Sequence, residues 1–282
     1  MKSNNKINIP WRGTLILLAI LVLAVGYLNY AKAVVVSTPC TADMVPVGAS
    51  CVDKYEASVW SDPNGLGIQF GVFTGQTAYP LTFPPNGNWT VPLYAVSKAG
   101  ILPSTGLTWF QAQQACALSG KRLIPYDEWL MAAAGTPDPG RDNLTTDCNI
   151  NSGVAVPSRS RTDCVSNWGV HDTMGNVMEW TTDWVQGTGT NSTWLPTGSG
   201  LPGALPQNMT SLVYGQDFMR HVNPANVQAT PVQDLQGTTQ FPAVLIPGGF
   251  FGGGMVLPGV FALRADFAPS VQDVRVGFRC AR

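Results

Sequence analysis

The alternation of apolar and polar residues predicts secondary structure only in short stretches of this chain. Residues 44–60 alternate and include β-branched side chains, which is typical of one or two short strands. Thr108 precedes an alanine-rich segment that ends near Leu118, and Gly120 follows it, so the sequence predicts a helix with Thr108 as its N-cap. A second helix is predicted from Tyr126 to Ala134, where apolar residues recur at helical spacing.

The rest of the chain lacks helical periodicity. Residues 61–100 are rich in Gly, Pro and Asn, and we expect loops there with an edge strand near Ile68–Phe73. Residues 185–245 show no sustained period, which predicts a long insertion packed over the domain. The final segment, 243–282, has the pattern of short strands separated by turns. Two early helices with strands and loops elsewhere predict an α+β domain.

The first 33 residues have the order of features found in a secretory signal peptide. Basic residues precede an apolar run from Leu15 to Leu28, and the small residues Ala31 and Ala33 follow it. The run is about 14 residues long, whereas a membrane-spanning helix needs about 20. We therefore expect cleavage after Ala33 and a mature domain, residues 34–282, that is periplasmic, secreted or on the cell surface. The alternative is an uncleaved N-terminal anchor that tethers the protein to the membrane, because aromatic residues flank the run.

Charge and cysteine content narrow the class of protein. The net charge is −1 and charged residues make up 12% of the chain, so no basic face indicates nucleic acid as a partner. An even number of cysteines in an exported chain predicts disulfides. The six cysteines are Cys40, Cys51, Cys116, Cys148, Cys164 and Cys280. Six cysteines allow fifteen pairings, and the spacing alone leaves them open.

Five groups of short motifs occur in order along the mature chain. They are Asp53-Lys54-Tyr55-Glu56; Cys116 with Gly120-Lys121-Arg122-Leu123 and Glu128-Trp129; Gly175-Asn176-Val177-Met178-Glu179-Trp180; Gly248-Gly249; and Gly277-Phe278-Arg279-Cys280-Ala281-Arg282. In this order they resemble the formylglycine-generating enzyme (sulfatase-modifying factor) family. The resemblance implies a C-type-lectin-like fold with few regular elements. It also implies a disulfide between Cys116 and Cys280, which leaves Cys40–Cys51 and Cys148–Cys164 as the other pairs.

The same resemblance implies two calcium sites. The first would use Asn149, Ile150, Asp163 and Val165, and the second Asp172, Gly175, Val177 and Glu179. Side-chain and backbone oxygens of this kind are the ligands that Ca²⁺ prefers. Two alternatives remain open. Asn149 and Asp163 also suit turn capping, and Glu179 also suits an ion pair with Arg122 or Arg279.

The cysteines that carry the family's oxidation chemistry are absent. Formylglycine-generating members use a cysteine pair between the Gly-Gly turn and the final Gly-Phe-Arg-Cys motif to bind copper and exchange with the substrate thiol. Residues 248–259 contain no cysteine here, so we expect neither this reaction nor copper. Iron is not expected either, because the relatives that use non-haem iron have histidine-rich sites in an additional domain, and this chain has only His171 and His221. No other catalytic motif is present, so we predict no catalytic residue.

The C-terminal part suggests another use of the same fold. In secreted relatives diversified by retroelements, side chains near the C-terminus vary on constant strands, and residues 259–279 are similar to such a variable region. The positions expected on display are Arg264, Asp266, Phe267, Val271, Asp273 and Arg275. Their mixture of charged, aromatic and aliphatic groups suits a binding surface. The alternative is an ordinary strand-and-loop surface.

Two functional hypotheses follow from these observations. The first is a non-catalytic, extracytoplasmic binding or adhesion module that contacts a protein or glycan through its C-terminal strands and the 185–245 insertion. The second is a periplasmic tailoring oxidase of the same superfamily that acts without the cysteine pair. The missing cysteines and the scarcity of histidine favour the first. Four Asn-x-Ser/Thr triplets, at Asn88, Asn143, Asn191 and Asn208, are glycosylation acceptors only in a host that glycosylates, and chance explains several of them.

Overall fold

The chain divides into two units, Met1–Pro39 and Cys40–Arg282. The computed structural model describes residues 39–72, 78–137, 142–186, 211–214, 217–220, 242–252 and 259–282. The expected signal peptide or anchor lies outside these residues. None of the helices in the described part is long and apolar enough to cross a membrane.

Both predicted helices are confirmed. Helix α1 (Trp109–Leu118) begins at Thr108, whose hydroxyl accepts a hydrogen bond from the Gln111 backbone N–H at 3.2 Å, while the Thr108 N–H donates to the Gln111 side chain at 3.0 Å. This reciprocal capping box satisfies two N–H groups that an isolated helix end would leave unpaired. Gly120 follows the helix in a left-handed conformation with φ of 69°. Helix α2 (Tyr126–Ala133) ends one residue before the predicted boundary.

The strands are short and form small sheets. In chain order they are β1 (Met44–Val47), β2 (Ser50–Asp53), β3 (Ala57–Trp60), β4 (Gln69–Phe70), β5 (Tyr94–Ser97), β6 (Arg122–Leu123), β7 (Met178–Trp180), β8 (Trp184–Gln186), β9 (Ser211–Tyr214), β10 (Asp217–Arg220), β11 (Pro242–Pro247), β12 (Leu263–Phe267), β13 (Val276–Phe278) and β14 (Cys280–Ala281). Within the described residues the sheet orders are β1-β2-β14-β6, β8-β11-β12-β10-β9, β13-β7 and β4-β3-β5. Two helices with small sheets confirm the α+β class.

The predicted insertion contributes strands to a sheet. Strands β9 and β10 lie within residues 185–245 and pair with each other in antiparallel fashion. Strand β10 also runs parallel to β12, with Arg220 opposite Arg264. The sequence pattern did not predict this hairpin, because its residues have no sustained alternation of their own. The rest of the insertion lies outside the described residues, except for the parts of β8 and β11 at its two ends.

The pairing of β7 with β13 brings two distant motifs side by side. The strands are parallel, and Glu179 lies opposite Gly277. A Cβ atom at Gly277 would lie 2.9 Å from a methyl group of Val177 and 3.0 Å from the Ser104 carbonyl oxygen. Only glycine therefore allows β13 to approach β7 this closely. The consequence is that Arg279, just beyond β13, reaches the same buried region as Glu179.

Three disulfides join all six cysteines of the chain, as Cys40–Cys51, Cys116–Cys280 and Cys148–Cys164. These are the pairs expected from the resemblance. Cys116 and Cys280 are fully buried in the main hydrophobic cluster with Trp180 and Phe278. Their bond spans a sequence separation of 164, and closing a loop of that length stabilises the fold by about 5 kcal/mol through chain entropy. The three disulfides indicate an oxidising, extracytoplasmic compartment.

Candidate functional site

A buried ion pair lies at the centre of the domain. Glu179 is 1% exposed and Arg279 is fully buried. The Arg279 side chain donates to Glu179 through Nη2 at 2.8 Å and through Nε at 3.1 Å, and the Trp129 indole N–H donates to the same carboxylate at 2.8 Å. Remaining N–H groups of Arg279 donate to the carbonyl oxygens of Asp53 and His171. Burial lowers the pKa of Arg279, but Glu179 more than offsets this and raises it, so the guanidinium stays charged.

This geometry decides between the two arginines that were candidates to pair with Glu179. Arg122 pairs instead with Glu128, its Nη2 lying 2.7 and 2.9 Å from the two carboxylate oxygens. That pair is partly exposed, with side-chain exposures of 38% and 23%. A single Arg122 nitrogen makes both contacts in the surface pair, whereas two Arg279 nitrogens contact the two oxygens of Glu179. Only the buried pair is therefore bidentate in the fork-to-fork sense.

A second buried carboxylate, Glu56, holds the loop that precedes β7. It accepts hydrogen bonds from the Asn176 side chain at 2.5 Å, from the Ser158 hydroxyl at 3.1 Å and from the Val177 backbone N–H at 3.1 Å. Burial raises the pKa of Glu56 well above its usual range, and the nearby Asp172 carboxylate adds to the effect. Glu56 was part of a motif in the sequence, but no role was predicted for it.

Asn176 connects Glu56 to the first set of predicted calcium ligands. It adopts a left-handed conformation with φ of 52°, which asparagine tolerates better than most residues. Its side-chain oxygen accepts hydrogen bonds from the Asn149 side chain at 2.9 Å and from the Val156 backbone N–H at 2.9 Å. A polar residue between Gly175 and Val177 was the only sequence signal of this role.

The third buried carboxylate is Asp172, one of the second set of predicted ligands. It is 2% exposed, has a φ of 59°, and accepts a hydrogen bond from the Arg159 backbone N–H at 2.7 Å. Burial raises the pKa of Asp172 to about 7, although the Arg159 hydrogen bond and the Arg279 charge oppose this. Glu56, Asp172 and Glu179 thus form an acidic buried region around Arg279.

The Cys148–Cys164 disulfide organises the first set of predicted calcium ligands. Its Cα atoms are 4.7 Å apart, so Asn149 and Ile150 follow one half-cystine while Asp163 and Val165 flank the other. Asn149 is 1% exposed, and its side-chain nitrogen donates to the Val154 carbonyl and to Asn176.

The side-chain oxygen of Asn149 has no hydrogen-bond partner within the described part of the chain. A buried amide oxygen without a partner is costly unless a ligand satisfies it. Asp163 directly precedes Cys164 of the disulfide. Its side chain is exposed and accepts a hydrogen bond from the Thr162 hydroxyl at 3.1 Å. The unpaired amide oxygen of Asn149 and the exposed carboxylate of Asp163 are ligands of the kind that a hard cation prefers, so the residues of this set fit calcium.

The second set is arranged differently. A Cβ atom at Gly175 would overlap the Asn149 carbonyl oxygen, so glycine is required where the two sets meet. Both oxygens of Glu179 already accept hydrogen bonds from Arg279, and one of them also from Trp129. Calcium at Asp172, Gly175, Val177 and Glu179 stays a prediction. Among the described residues, no group of three or more His, Cys, Asp or Glu side chains is placed to hold a metal ion.

Two of the positions expected on display are buried, which corrects the prediction for them. Arg264 is 6% exposed and Phe267 is fully buried, and the Arg264 guanidinium lies over the Phe267 ring at 4.2 Å from its centroid. Both residues lie on β12, which is an interior strand between β11 and β10. The sequence pattern could not show this, because β10 comes from the 185–245 segment, which has no sustained period, and a pattern does not specify which strands pair with β12. The side chain of Asp266 lies outside the described residues.

The other expected positions form a partly exposed surface. Val271 is half-buried and packs against the main cluster. Arg275 forms a bidentate pair with Asp273 and lies 5.2 Å from the centroid of the Phe250 ring. Val274, which the sequence reading did not single out, is 40% exposed between them. We call Phe250, Asp273, Val274 and Arg275 the C-terminal patch.

Comparison with known proteins agrees with the family resemblance of the ordered motifs. Residues 73–282 match the family described as the sulfatase-modifying factor enzyme 1-like domain. The chain belongs to this family. Membership confirms the C-type-lectin-like fold class expected from the sequence. Among curated proteins, none matches the chain.

Several solved structures are similar to this member of the sulfatase-modifying factor family. The Major Tropism Determinant U1 variant is 17% identical with a TM-score of 0.47, over 85% of this chain and 52% of the other. The P3c variant is 16% identical with a TM-score of 0.48, over 87% and 55%. Treponema denticola variable protein 1 is 13% identical with a TM-score of 0.44, over 86% and 92%. The chain thus spans about half the length of the Major Tropism Determinant chains.

This sulfatase-modifying-factor-like domain has no thiol for the family's oxidation chemistry. All six cysteines of the chain are in disulfides, and residues 248–259 contain none. A disulfide sulfur is neither a thiolate nucleophile nor a soft ligand for copper. Within the motifs, Glu56, Glu179 and Arg279 hold three distant segments together through buried hydrogen bonds.

Proposed function

We propose that this protein is a non-catalytic, extracytoplasmic binding module that presents the C-terminal patch of its sulfatase-modifying-factor-like domain to a protein or glycan ligand. The observation that carries the proposal is that every cysteine of the chain is in a disulfide. The fold of a formylglycine-generating enzyme is therefore kept while the thiol that its chemistry requires is missing.

The composition of the C-terminal patch supports a binding role. It combines an exposed aliphatic side chain, Val274, with an aromatic ring, Phe250, and a charged pair, Asp273 and Arg275. Interfaces use apolar and aromatic groups for affinity and a polar rim for orientation. Arg275 outweighs the effect of burial and lowers the pKa of Asp273, so both charges persist at neutral pH.

The scaffold under the patch is rigid. Strand β13 begins at Val276, directly after Arg275, and pairs with β7. The Cys116–Cys280 disulfide then ties the following strand to helix α1. Binding residues placed beside a rigid element lose less conformational entropy when a ligand binds, which favours recognition without a large rearrangement.

An array experiment tests the proposal. The mature protein is applied to an array of surface glycans and purified extracellular proteins, alongside Val274→Asp and the control Leu66→Asp, a residue 80% exposed in the β3–β4 connection. We expect at least one specific signal that falls roughly tenfold or more with Val274→Asp and is retained with Leu66→Asp, since a buried interface disfavours an unpaired charge by more than 1.4 kcal/mol. Signals no stronger than those of the denatured protein, or equal signals for both variants, contradict the proposal.

A second experiment tests the absence of catalysis. A cysteine-containing sulfatase peptide is incubated with the protein, copper and oxygen, and its mass is followed over time. We expect the peptide thiol to remain unconverted, because no protein thiolate is available to exchange with it. Conversion of the peptide above the protein-free control would show an enzyme, and would restore the tailoring-oxidase hypothesis.

Calcium and export are part of the same proposal. The unpaired Asn149 side-chain oxygen and the exposed Asp163 carboxylate support calcium at the first set of ligands. When bound, calcium would supply a positive charge that cross-links two loop segments. The basic residues and short apolar run within residues 1–33 support a signal peptide that is removed on export.

A further inference from the structure

Two of the four Asn-x-Ser/Thr triplets lie in the described part of the chain, and their asparagine side chains differ in hydrogen bonding. They are Asn88-Trp89-Thr90 and Asn143-Leu144-Thr145, whereas Asn191 and Asn208 lie outside the described residues. Attachment of a glycan to asparagine uses the side-chain nitrogen and needs the hydroxyl residue two positions later. The state of that nitrogen in the folded protein therefore separates a usable acceptor from a blocked one.

Asn88 is presented on an exposed turn. Asn88, Trp89 and Thr90 are all exposed, with Trp89 at 37%. The turn is held by its backbone, since the Asn88 N–H donates to the Asn86 side chain at 3.0 Å and the Thr90 N–H donates to the Thr82 carbonyl at 2.8 Å. These bonds use no side-chain atom of Asn88 or Thr90. A modification at the Asn88 nitrogen would leave each of them intact.

Asn143 is also exposed, but its side chain is part of the structure. Its oxygen accepts hydrogen bonds from the backbone N–H groups of Thr145, Thr146 and Asp147 at 2.9, 2.8 and 3.1 Å. Its nitrogen donates to the Thr146 hydroxyl at 3.0 Å. Leu144 is in a left-handed conformation with φ of 63°. Presenting this nitrogen to an enzyme would break the turn that the side chain organises.

We propose that Asn88 is an N-glycosylation site and that Asn143 is not one in the folded protein. The co-substrate is an oligosaccharide linked to a polyprenyl pyrophosphate. A bond forms between the Asn88 side-chain nitrogen and the anomeric carbon of the sugar, and the bond from that carbon to the pyrophosphate oxygen breaks. The nitrogen loses one proton and the lipid pyrophosphate leaves, with no change in oxidation state. The reaction requires the extracytoplasmic location that the disulfides indicate.

The test uses the folded full chain, a purified single-subunit oligosaccharyltransferase and a lipid-linked oligosaccharide, with glycopeptides identified by mass spectrometry. Synthetic peptides that carry each triplet are the unfolded control, and the enzyme chosen for the test is one that glycosylates both peptides. We expect the folded protein to carry glycan at Asn88 and none at Asn143. Asn88→Gln should abolish the modification because it removes the acceptor. Thr90→Ala should also abolish it, although the acceptor asparagine is still present. Asn143→Gln should leave the modification of Asn88 unchanged.

Two results would overturn the proposal. One is a folded protein that stays unmodified at Asn88 while the peptide with the same triplet is glycosylated. The other is modification of Asn143 to the same extent as Asn88 in the folded protein, which would mean that the side-chain hydrogen bonds offer no protection. Protein isolated from its natural source gives an independent reading, since an unmodified Asn88 there also contradicts the proposal.

Discussion

Glu179→Gln is the substitution that most directly probes how the domain is held together. Glutamine keeps the shape of the side chain but removes its charge, and its NH₂ group must face one of the N–H groups that now donate to the carboxylate. Those donors are the Arg279 Nε and Nη2 groups and the Trp129 indole. Arg279 is fully buried, so its charge would lose the only carboxylate with which it forms an ion pair in the described residues.

The expected cost is large. Removing one partner of a buried ion pair destabilises a protein by about 3–5 kcal/mol, because the remaining charge stays buried without compensation. For a domain of this size, 1 kcal/mol corresponds to about 2–4 °C in Tm, so we expect a fall of roughly 6–20 °C. Glu128→Gln is the matched control. It makes the same chemical change in the partly exposed Arg122–Glu128 pair, where about 0–1 kcal/mol is expected.

The assay is thermal unfolding of both variants and the wild type, each with excess calcium and with chelator. If Glu179→Gln and Glu128→Gln melt within about 2 °C of each other, the buried pair does not stabilise the fold and the reasoning is wrong. The two calcium conditions separate the roles of Glu179. If it is also a calcium ligand, the calcium-dependent increase in Tm shrinks in Glu179→Gln; an equal fall in both conditions assigns it to Arg279 alone.

Four further predictions follow from other parts of the structure. Calcium at one hundred times its Kd should stabilise the wild type by about 2.7 kcal/mol, and Asp163→Asn should remove most of this increment without changing the Tm in chelator. Replacing Cys116 and Cys280 together by alanine should lower the unfolding free energy by about 5 kcal/mol in denaturant titrations, and a loss below about 1 kcal/mol would contradict the loop-closure argument. Burial raises the pKa of Asp53 to about 6, despite its ion pair with Lys121. Because the pKa is higher in the folded state than in the unfolded state, the free energy of unfolding of the wild type, relative to Asp53→Asn, should fall as pH rises from about 4 to about 6. Unfolding measured across this pH range checks the prediction, and a rise in relative stability would refute it. Mass spectrometry of the exported protein should show an N-terminus at Val34, whereas retained Met1 would indicate an anchor.

Local signals in the sequence were sufficient to predict the two helices. The cap at Thr108 and the glycine at position 120 are recognised within a few residues, so α1 was predictable from its own segment. The disulfides followed from the family resemblance, since spacing alone allowed fifteen pairings. In each of these cases the information lies in residues that are adjacent in sequence or in a known motif.

The partner of Glu179 and the burial of the C-terminal residues depend on contacts between distant segments. Arg122 and Arg279 carry the same charge, and only the parallel pairing of β7 and β13 decides that Arg279 is the partner. Phe267 appeared suitable for display, but β12 pairs with β11 on one edge and, on the other, with β10, which comes from the segment without a sustained period. The periodicity of a sequence indicates which residues of a strand share a face, but it does not indicate which other strands pair with that strand.

The position of β14 constrains when this domain can fold during export. Strand β14 lies between β2 and β6, and the Cys280 backbone N–H donates to Asp53 across a sequence separation of 227. A polypeptide threaded through a membrane from its N-terminus would expose Cys40 and Cys51 first, and these can be oxidised at once because only 11 positions separate them. Cys116 must wait for a partner that arrives 164 residues later. We therefore expect the Cys116 thiol to be vulnerable to mispairing with cysteines that emerge before Cys280, until the C-terminal strand arrives.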